Sequence, residues 1–293
     1  MKEIKKYILI TSAHNEEKLI QKTIDSVVSQ TVKPCNWLIV SDGSTDKTDV
    51  IVKRAAQKYK YITFIRRDRV EIRSFGQKVK SINCAYNKIN NNSYSFIGIL
   101  DADITFSKNY FENLIKEFDR DSNLGIAGGL IYEVKKDGIS PQNISENSVA
   151  GAVQMYRKSL YEELGGFLPL ENGGEDAARE IIAREKGWKT KTVKNLKAYH
   201  HGYNREGAKR IFYTKYRWGL MFYELGYSPV FMIFRSLNQI KEYPYIISAA
   251  GEFVGYFVSV ILLKPKKLKY RTIKYLRNEQ KNRIMSYIRF VRK

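Results

Sequence analysis

A doubly wound α/β sheet followed by a helical C-terminal extension is the fold class that this sequence of 293 residues predicts. Two observations predict it. Through the first hundred residues, apolar runs of strand length alternate with stretches whose apolar residues recur at helical spacing. From about Ala208 the alternation stops, aromatic residues and isolated glycines become dense, and a basic tail closes the chain.

Residues 7–11 form a short apolar run suited to a strand buried on both faces. Ile20, Ile24, Val27 and Val28 then mark a helix. Residues 37–40 read as a second strand ending in Ser41-Asp42-Gly43-Ser44, residues 45–58 as a helix and 62–65 as a third strand. Val79, Ile82, Ala85 and Ile89 share a helical face, and residues 96–100 form a fourth strand running into Asp101-Ala102-Asp103. Strands alternating with helices imply parallel pairing, and right-handed crossovers then set the strand ends, and any ligand, along one edge. Further on, Phe111, Leu114, Ile115 and Phe118 give an amphipathic helix, residues 125–134 a strand, 141–148 a polar loop, 175–186 a helix stopped by Gly187, and 193–201 an extended segment. The expected organisation is a domain over 1–207, with a nucleotide-binding half (1–103) and an acceptor half (104–207), and a helical, basic region over 208–293.

The chain is 43 % hydrophobic, which allows a sizeable core and argues against disorder. Its net charge of +21 is uneven: residues 264–293 hold twelve Lys and Arg against one acid, Glu279. Such density points to a polyanion, either phospholipid head groups or nucleic acid. Cys35 and Cys84 show no pairing or metal-type spacing, as in a reducing compartment. The apolar run after Lys5 and Lys6 is too short for a signal peptide, so the expectation is a chain that stays in the cytosol.

Four acidic turns can carry chemistry. Asp101 and Asp103 at a strand end can approach a divalent cation and a ribose together, and hard oxygen ligands suit Mg2+ or Mn2+; the blander reading is a solvated turn. Asp42, before Gly43, can accept from a base N–H or a ribose hydroxyl, or the turn can be an ordinary strand-to-helix connection capped by Ser44 or Asp46. His14 can stack on a base and Glu16 can bind a polar ligand atom, or both simply start a helix. Glu175 and Asp176, after Gly173-Gly174, can deprotonate a hydroxyl or cap a helix. Their order along the chain is a base-binding turn, an acidic turn, metal acids and a distal carboxylate. That suits a nucleoside diphosphate held beside an activated nucleophile.

With these residues in view, the chain resembles a family 2 glycosyltransferase of the GT-A fold. The matching stretches are ILITSAHNEE, IVSDGSTDKT, GQKVKSINCAY, ILDADITF, GAVQMYRKSLYEELGGF and GGEDAAREIIAREKGW, in family order from about Ile8 to Trp188. The resemblance implies a Rossmann-like doubly wound mixed sheet and Mn2+ or Mg2+ as cofactor. It implies that Ser12, His14, Glu16 and Asp42 hold the nucleoside of a UDP-, GDP- or dTDP-sugar, and that Lys78 faces the donor. Asp101 would contact ribose or metal, Asp103 the cation, Gly128 and Gly129 the sugar, and Asp176 would be the base of an inverting transfer. Of His200 and His201, His201 is the expected third metal contact. Arg217, in a Tyr-Arg-Trp triplet, would touch phosphate. The chain departs from the family at Ser12, where proline is usual, at Ser41, where the first acid of Asp-Asp-Gly-Ser is usual, and at Gly76 and Ala85, while Asp42, Asp101, Asp103 and Asp176 are kept.

Residues 243–263 contain one charge, Glu252, and could span a bilayer by length. Glu252, Pro244, Gly251, Gly255 and the basic residues that follow argue instead for helices lying at the interface. Ile273, Leu276, Gln280, Ile284, Tyr287 and Val291 form a stripe of a basic amphipathic helix. The stretch resembles tails of surface-polysaccharide enzymes, which implies a glycan or lipid-linked acceptor, an anionic membrane as partner, and a peripheral or monotopic place on the cytoplasmic side. Three rivals are weaker. A polyprenyl-phosphate sugar transferase differs only in acceptor. A sugar-1-phosphate nucleotidyltransferase wants a Gly-rich basic loop where His14-Asn15-Glu16-Glu17 stands. A nucleic-acid binder wants its charge spread over the sheet rather than gathered in a tail, so nucleic acid is not an expected partner.

Overall fold

The unbroken apolar runs of the first strands already dictate a sheet covered on both faces. The computed structural model describes residues 5–68, 75–89, 93–135, 138–202, 208–240 and 246–291. The start of the apolar stretch at Tyr243, with Pro244, lies outside these residues, as do 203–207 at the expected domain boundary and the last two residues of the tail. The chain divides into two compact units, one formed by 1–169 with 175–204, the other by 170–174 with 205–293.

In the first unit the elements run β1 (Tyr7–Ala13), α1 (Ile20–Val28), β2 (Asn36–Asp42), α2 (Thr48–Lys58), β3 (Ile62–Arg67), α3 (Phe75–Tyr86), β4 (Phe96–Leu100), β5 (Ile104–Phe106), α4 (Tyr110–Arg120), β6 (Leu124–Lys135), β7 (Gly138–Pro141), β8 (Val153–Arg157), α5 (Lys158–Glu163), α6 (Glu175–Glu185) and β9 (Lys189–His200). The described strands join one sheet ordered β3-β2-β1-β4-β8-β6-β9-β5, with β7 on β6. β3, β2, β1 and β4 are mutually parallel, as the alternation predicts. β8 pairs antiparallel with β4 and β6, so the sheet is mixed.

The period of two is visible in the core. Tyr7 and Leu9 of β1, Trp37 and Ile39 of β2, and Phe96 and Leu100 of β4 face one layer, covered by α1, α2 and α4. Ile8 and Ile10, Leu38 and Val40, and Ile97 and Ile99 face the other, covered by α3 and α5. Each such aliphatic side chain contributes on the order of 1.5–3 kcal/mol by leaving water. Trp37 is fully buried because its indole N–H donates to Thr11 Oγ1 at 3.0 Å.

The second unit contains α7 (Ala208–Glu224), α8 (Pro229–Gln239), α9 (Ile246–Ile261) and α10 (Tyr270–Val291). Ser228 caps α8 and Pro229 opens it. α7 and α9 pack at backbone distance: a side-chain carbon added at Gly255 would overlap the Tyr216 carbonyl oxygen, and one at Gly219 the Glu252 carbonyl oxygen. Residues 170–174 cluster with this unit, Asn172 Nδ2 donating to Glu224 Oε1 at 2.8 Å and Arg217 Nη2 to Glu171 O at 2.7 Å. Gly255→Leu should cost about 1–3 kcal/mol, since a backbone carbonyl cannot step aside. Thermal denaturation of Gly255→Leu beside the exposed-site control Val254→Leu checks this; equal melting temperatures would refute the close contact.

Candidate active site

Parallel pairing brings the ends of β1, β2 and β4 side by side. The turns after β1 and β2 are laced together there. Asn15, in the left-handed backbone region at φ 56°, accepts from Thr45 N at 2.8 Å through Oδ1. Glu16 N donates to Thr48 Oγ1 at 2.8 Å, and His14 Nδ1 lies 2.8 Å from Asp42 O. Ser12 pairs in register with Val40. The structure therefore brings Ser12, His14, Glu16 and Asp42 to one edge. The Asp42 carboxylate itself is almost wholly buried, held by Arg67 Nη1 at 2.8 Å, while Arg67 Nη2 donates to Gln77 Oε1 at 2.8 Å.

Beyond β4 the charges converge. Lys78 Nζ, from α3, lies 2.5 Å from Asp101 Oδ1. Burial opposes the Lys78 charge, but Asp101, helped by Glu175 and Asp176, holds its pKa above the ordinary lysine value. Burial raises the Asp101 carboxyl, Lys78 works against that, and Asp103 adds to it. His200 Nε2 is 3.0 Å from Asp103 Oδ2, and His200 Nδ1 is 2.7 Å from Glu133 Oε2. Burial alone would lower the imidazole, yet these two carboxylates push it up to about 10.

The histidine facing Asp103 is thus His200, where the sequence pointed to His201. Successive strand residues point to opposite sides. His200 stands opposite Ile104 and Glu133 in the sheet register, whereas His201 Nε2 meets Thr105 Oγ1 at 2.8 Å and its backbone N–H donates to Asp103 O.

The start of α6 supplies the remaining acids. Asp176 Oδ1 accepts from Ala177 N at 2.8 Å, and a side-chain carbon added at Gly151 would overlap Asp176 Oδ2. Burial, then the neighbouring Asp176, push Glu175 up to about 7, and its Oε2 is a buried oxygen with no hydrogen-bond partner. One turn on, Glu180 accepts from Val149 N at 2.7 Å and Ser148 Oγ at 2.8 Å, which ties the segment carrying Gly151 to the helix carrying Asp176.

Two further expected residues have contacts of their own. Gly129 is inside β6, its N–H donating to Tyr110 Oη at 2.7 Å, so its observed contacts are with the core. Arg217 belongs to the second unit, on the Glu171 carbonyl. Reading the sequence missed Arg67, Gln77, Glu133, Gly151 and Glu180. A lone acid within the strand run Ile131-Tyr132-Glu133-Val134 was a usable signal, as was Glu180 four residues after Asp176 beside Ile181.

Among the described residues, no group of three or more His, Cys, Asp and Glu side chains is arranged to hold a metal by itself. The donor set nevertheless fits a divalent cation whose other ligands come from a substrate. Asp103 and His200 offer a carboxylate oxygen and an imidazole nitrogen 3.0 Å apart, and Glu133 orients the ring from behind. A cation bound at this nitrogen would take the place of the proton that Asp103 and Glu133 favour on His200.

A mixed sheet with acids at the β4 end and a helix-borne acid beside them is the GT-A arrangement of glycosyltransferases. The sequence matches Glycosyl transferase family 2 over residues 8–260, and the chain belongs to that family. It is 25 % identical over 186 residues to glycosyltransferase GlyA of Streptococcus pneumoniae, covering 54 % of this chain and 25 % of that protein. It is 27 % identical over 123 residues to the minor teichoic acid biosynthesis protein GgaB of Bacillus subtilis, covering 40 % of this chain and 12 % of that protein. The chain therefore spans a quarter or less of either relative. The fold is similar to the mannosyltransferase PcManGT from Pyrobaculum calidifontis in complex with GDP-Man and Mn2+, with TM-score 0.60, 16 % identity and coverage of 89 % of this chain and 75 % of that one. It is also similar to S. aureus TarS 1-349 in complex with UDP-GlcNAc, with TM-score 0.54, 15 % identity and coverage of 88 % and 92 %.

Gly151→Ala should push the Asp176 carboxylate aside while leaving the fold intact. Misplacement on the ångström scale can cost about 10²-fold in rate. A kcat within twofold of wild type, at unchanged melting temperature, would show that the Gly151 gap does not position Asp176.

Proposed function

We propose that this glycosyltransferase moves a sugar from a UDP-, GDP- or dTDP-sugar to a hydroxyl of a lipid-linked glycan, inverting the anomeric carbon in one displacement. The observation that carries this reading is the convergence on Lys78: Asp101 is paired to it at 2.5 Å, while Glu175 and Asp176 act on the same ammonium. A diphosphate needs positive charge and an acceptor hydroxyl needs a proton acceptor, and these residues offer both in one place.

Ser12, His14, Glu16 and Asp42 form the nucleoside edge, with Asp42 acting through the backbone it fixes and through Arg67. Asp101 meets the ribose and Lys78 the donor phosphates. Asp103 and His200 would hold Mn2+ or Mg2+, with Asp101 close by and Glu133 fixing the imidazole. Bound there, the cation supplies positive charge against the leaving diphosphate. Asp176 takes the acceptor proton on Oδ2, its Oδ1 being engaged by Ala177 N–H. A nucleotide-sugar donor is supported by the ligands named for PcManGT and TarS, and a glycan product by the teichoic acid biosynthesis in the printed name of GgaB. An acceptor of that kind places the enzyme at the cytoplasmic face of the membrane.

A donor panel with Mn2+ or Mg2+ tests the reading. Asp176→Asn should keep donor affinity and lose about 10²-fold or more in kcat, and Asp103→Ala should lose the metal-dependent rate. Full rate in Asp176→Asn together with loss in Glu175→Gln would move the proton acceptor to Glu175.

A further inference from the structure

Two helices of the second unit bury polar side chains beside Met232, Ala249 and Tyr256 and turn aliphatic side chains outward. α8 turns Met232, Ser236 and Gln239 inward. Its outward face is a continuous aliphatic stripe at i, i+3, i+7 and i+10, with Val230, Ile233, Leu237 and Ile240 exposed by 66, 46, 61 and 43 %. α9 repeats the pattern. Ser248, Glu252 and Ser259 face inward, while Ile246, Phe253, Val254 and Ile261 are exposed, followed by exposed Leu262 and Leu263. The inward carboxylate of Glu252 is 0 % exposed, held by Arg235 Nε at 2.9 Å, Gln239 Nε2 at 2.8 Å and Lys215 Nζ at 3.4 Å.

In water an amphipathic helix faces the other way, and a contiguous exposed apolar face marks a surface that something apolar covers. The contact between α9 and α7 points to lipid. It runs through Gly251 and Gly255, four residues apart, and small residues at that spacing bring helix backbones together where surrounding hydrocarbon removes the hydrophobic drive. The 16 described residues of α9 reach roughly 24 Å, against a hydrocarbon core of about 30 Å, which favours a place in one leaflet. Among the described residues no helix is long and apolar enough to cross a membrane. Charge decides the lipid. α10 packs on α8, the Phe234 and Tyr287 rings 5.0 Å apart, and carries exposed Lys274 and Lys281, with exposed Lys267 and Lys269 just before it.

We propose that the outer faces of α8 and α9 are a one-leaflet membrane seat, with their aliphatic side chains in the acyl boundary of an anionic phospholipid bilayer and the lysines of and before α10 at the head groups. The proposal rests on the membrane-side reading above and not on the transfer chemistry. A second copy of the chain could cover the aliphatic stripe but, carrying a net charge of +21 itself, offers no excess of negative charge to the lysines of and before α10.

Flotation of the full chain tests it, with vesicles of phosphatidylcholine alone or mixed with phosphatidylglycerol. Wild type should float with the anionic vesicles, at least about tenfold better than with neutral ones. Ile233→Glu/Leu237→Glu should lose about tenfold or more of that binding, keep its melting temperature, and keep its rate on a soluble acceptor. Lys274→Glu/Lys281→Glu should lose the preference for anionic lipid. The proposal is overturned if wild type floats with neither vesicle, if Ile233→Glu/Leu237→Glu floats as wild type does, or if light scattering shows a dimer that this double variant dissociates without changing flotation. Intact flotation with no transfer to a lipid-linked acceptor would overturn the acceptor reading and leave the membrane seat standing.

Discussion

The structure depends on a local excess of negative charge that the fold gathers and only partly neutralises. Asp101, Asp103, Glu133, Glu175 and Asp176 are drawn around Lys78 and His200. Like charges brought out of water raise one another's pKa and favour any cation that can enter. The raised Asp101 carboxyl, the Glu175 carboxyl near 7 and the imidazole near 10 are signs of the same strain. On the proposed reading, a site of this kind would accept a polyphosphate together with added positive charge, so that cation and donor would bind as one event.

The scaffold explains how acids distant in sequence come to share a place. β4 delivers Asp101 and Asp103 from the middle of the parallel half, and β9 returns His200 opposite Ile104. β8, wedged antiparallel between β4 and β6, carries the segment just before it over the start of α6. There Ala152 O accepts from Asp101 N at 2.9 Å, and Glu180 fastens Ser148 and Val149. One short segment thus touches both the β4 acids and the helix of Asp176. The buried glutamate of the second unit, Glu252, is handled differently, enclosed by donors on neighbouring helices.

Much of this was legible in the sequence where the signal is local. The parallel strands are apolar on both faces, so runs such as residues 96–100 announce themselves, and that strand matches β4 in both bounds. The amphipathic face of α4 likewise survives intact, with Phe111, Leu114, Ile115 and Phe118 all buried. β5, β7 and β8 were not read as strands because they are three to five residues long and exist only through partners far along the chain. The candidate acids are readable because they sit at strand ends and helix starts. Their partners are not: Arg67, Glu133 and Glu180 reach them only through strand register and helix phase, which pairing fixes. The choice between His200 and His201 had the same cause, since one residue of register exchanges the two sides of a strand.

The most direct measurement is calorimetric titration of Mn2+ and of UDP or GDP, each alone and each in the presence of the other. If the acid cluster binds donor and cation together, each ligand should tighten the other by the same factor, about tenfold or more, and Asp101→Asn should shrink that factor. Binding of nucleotide and Mn2+ with affinities independent of one another would contradict the account.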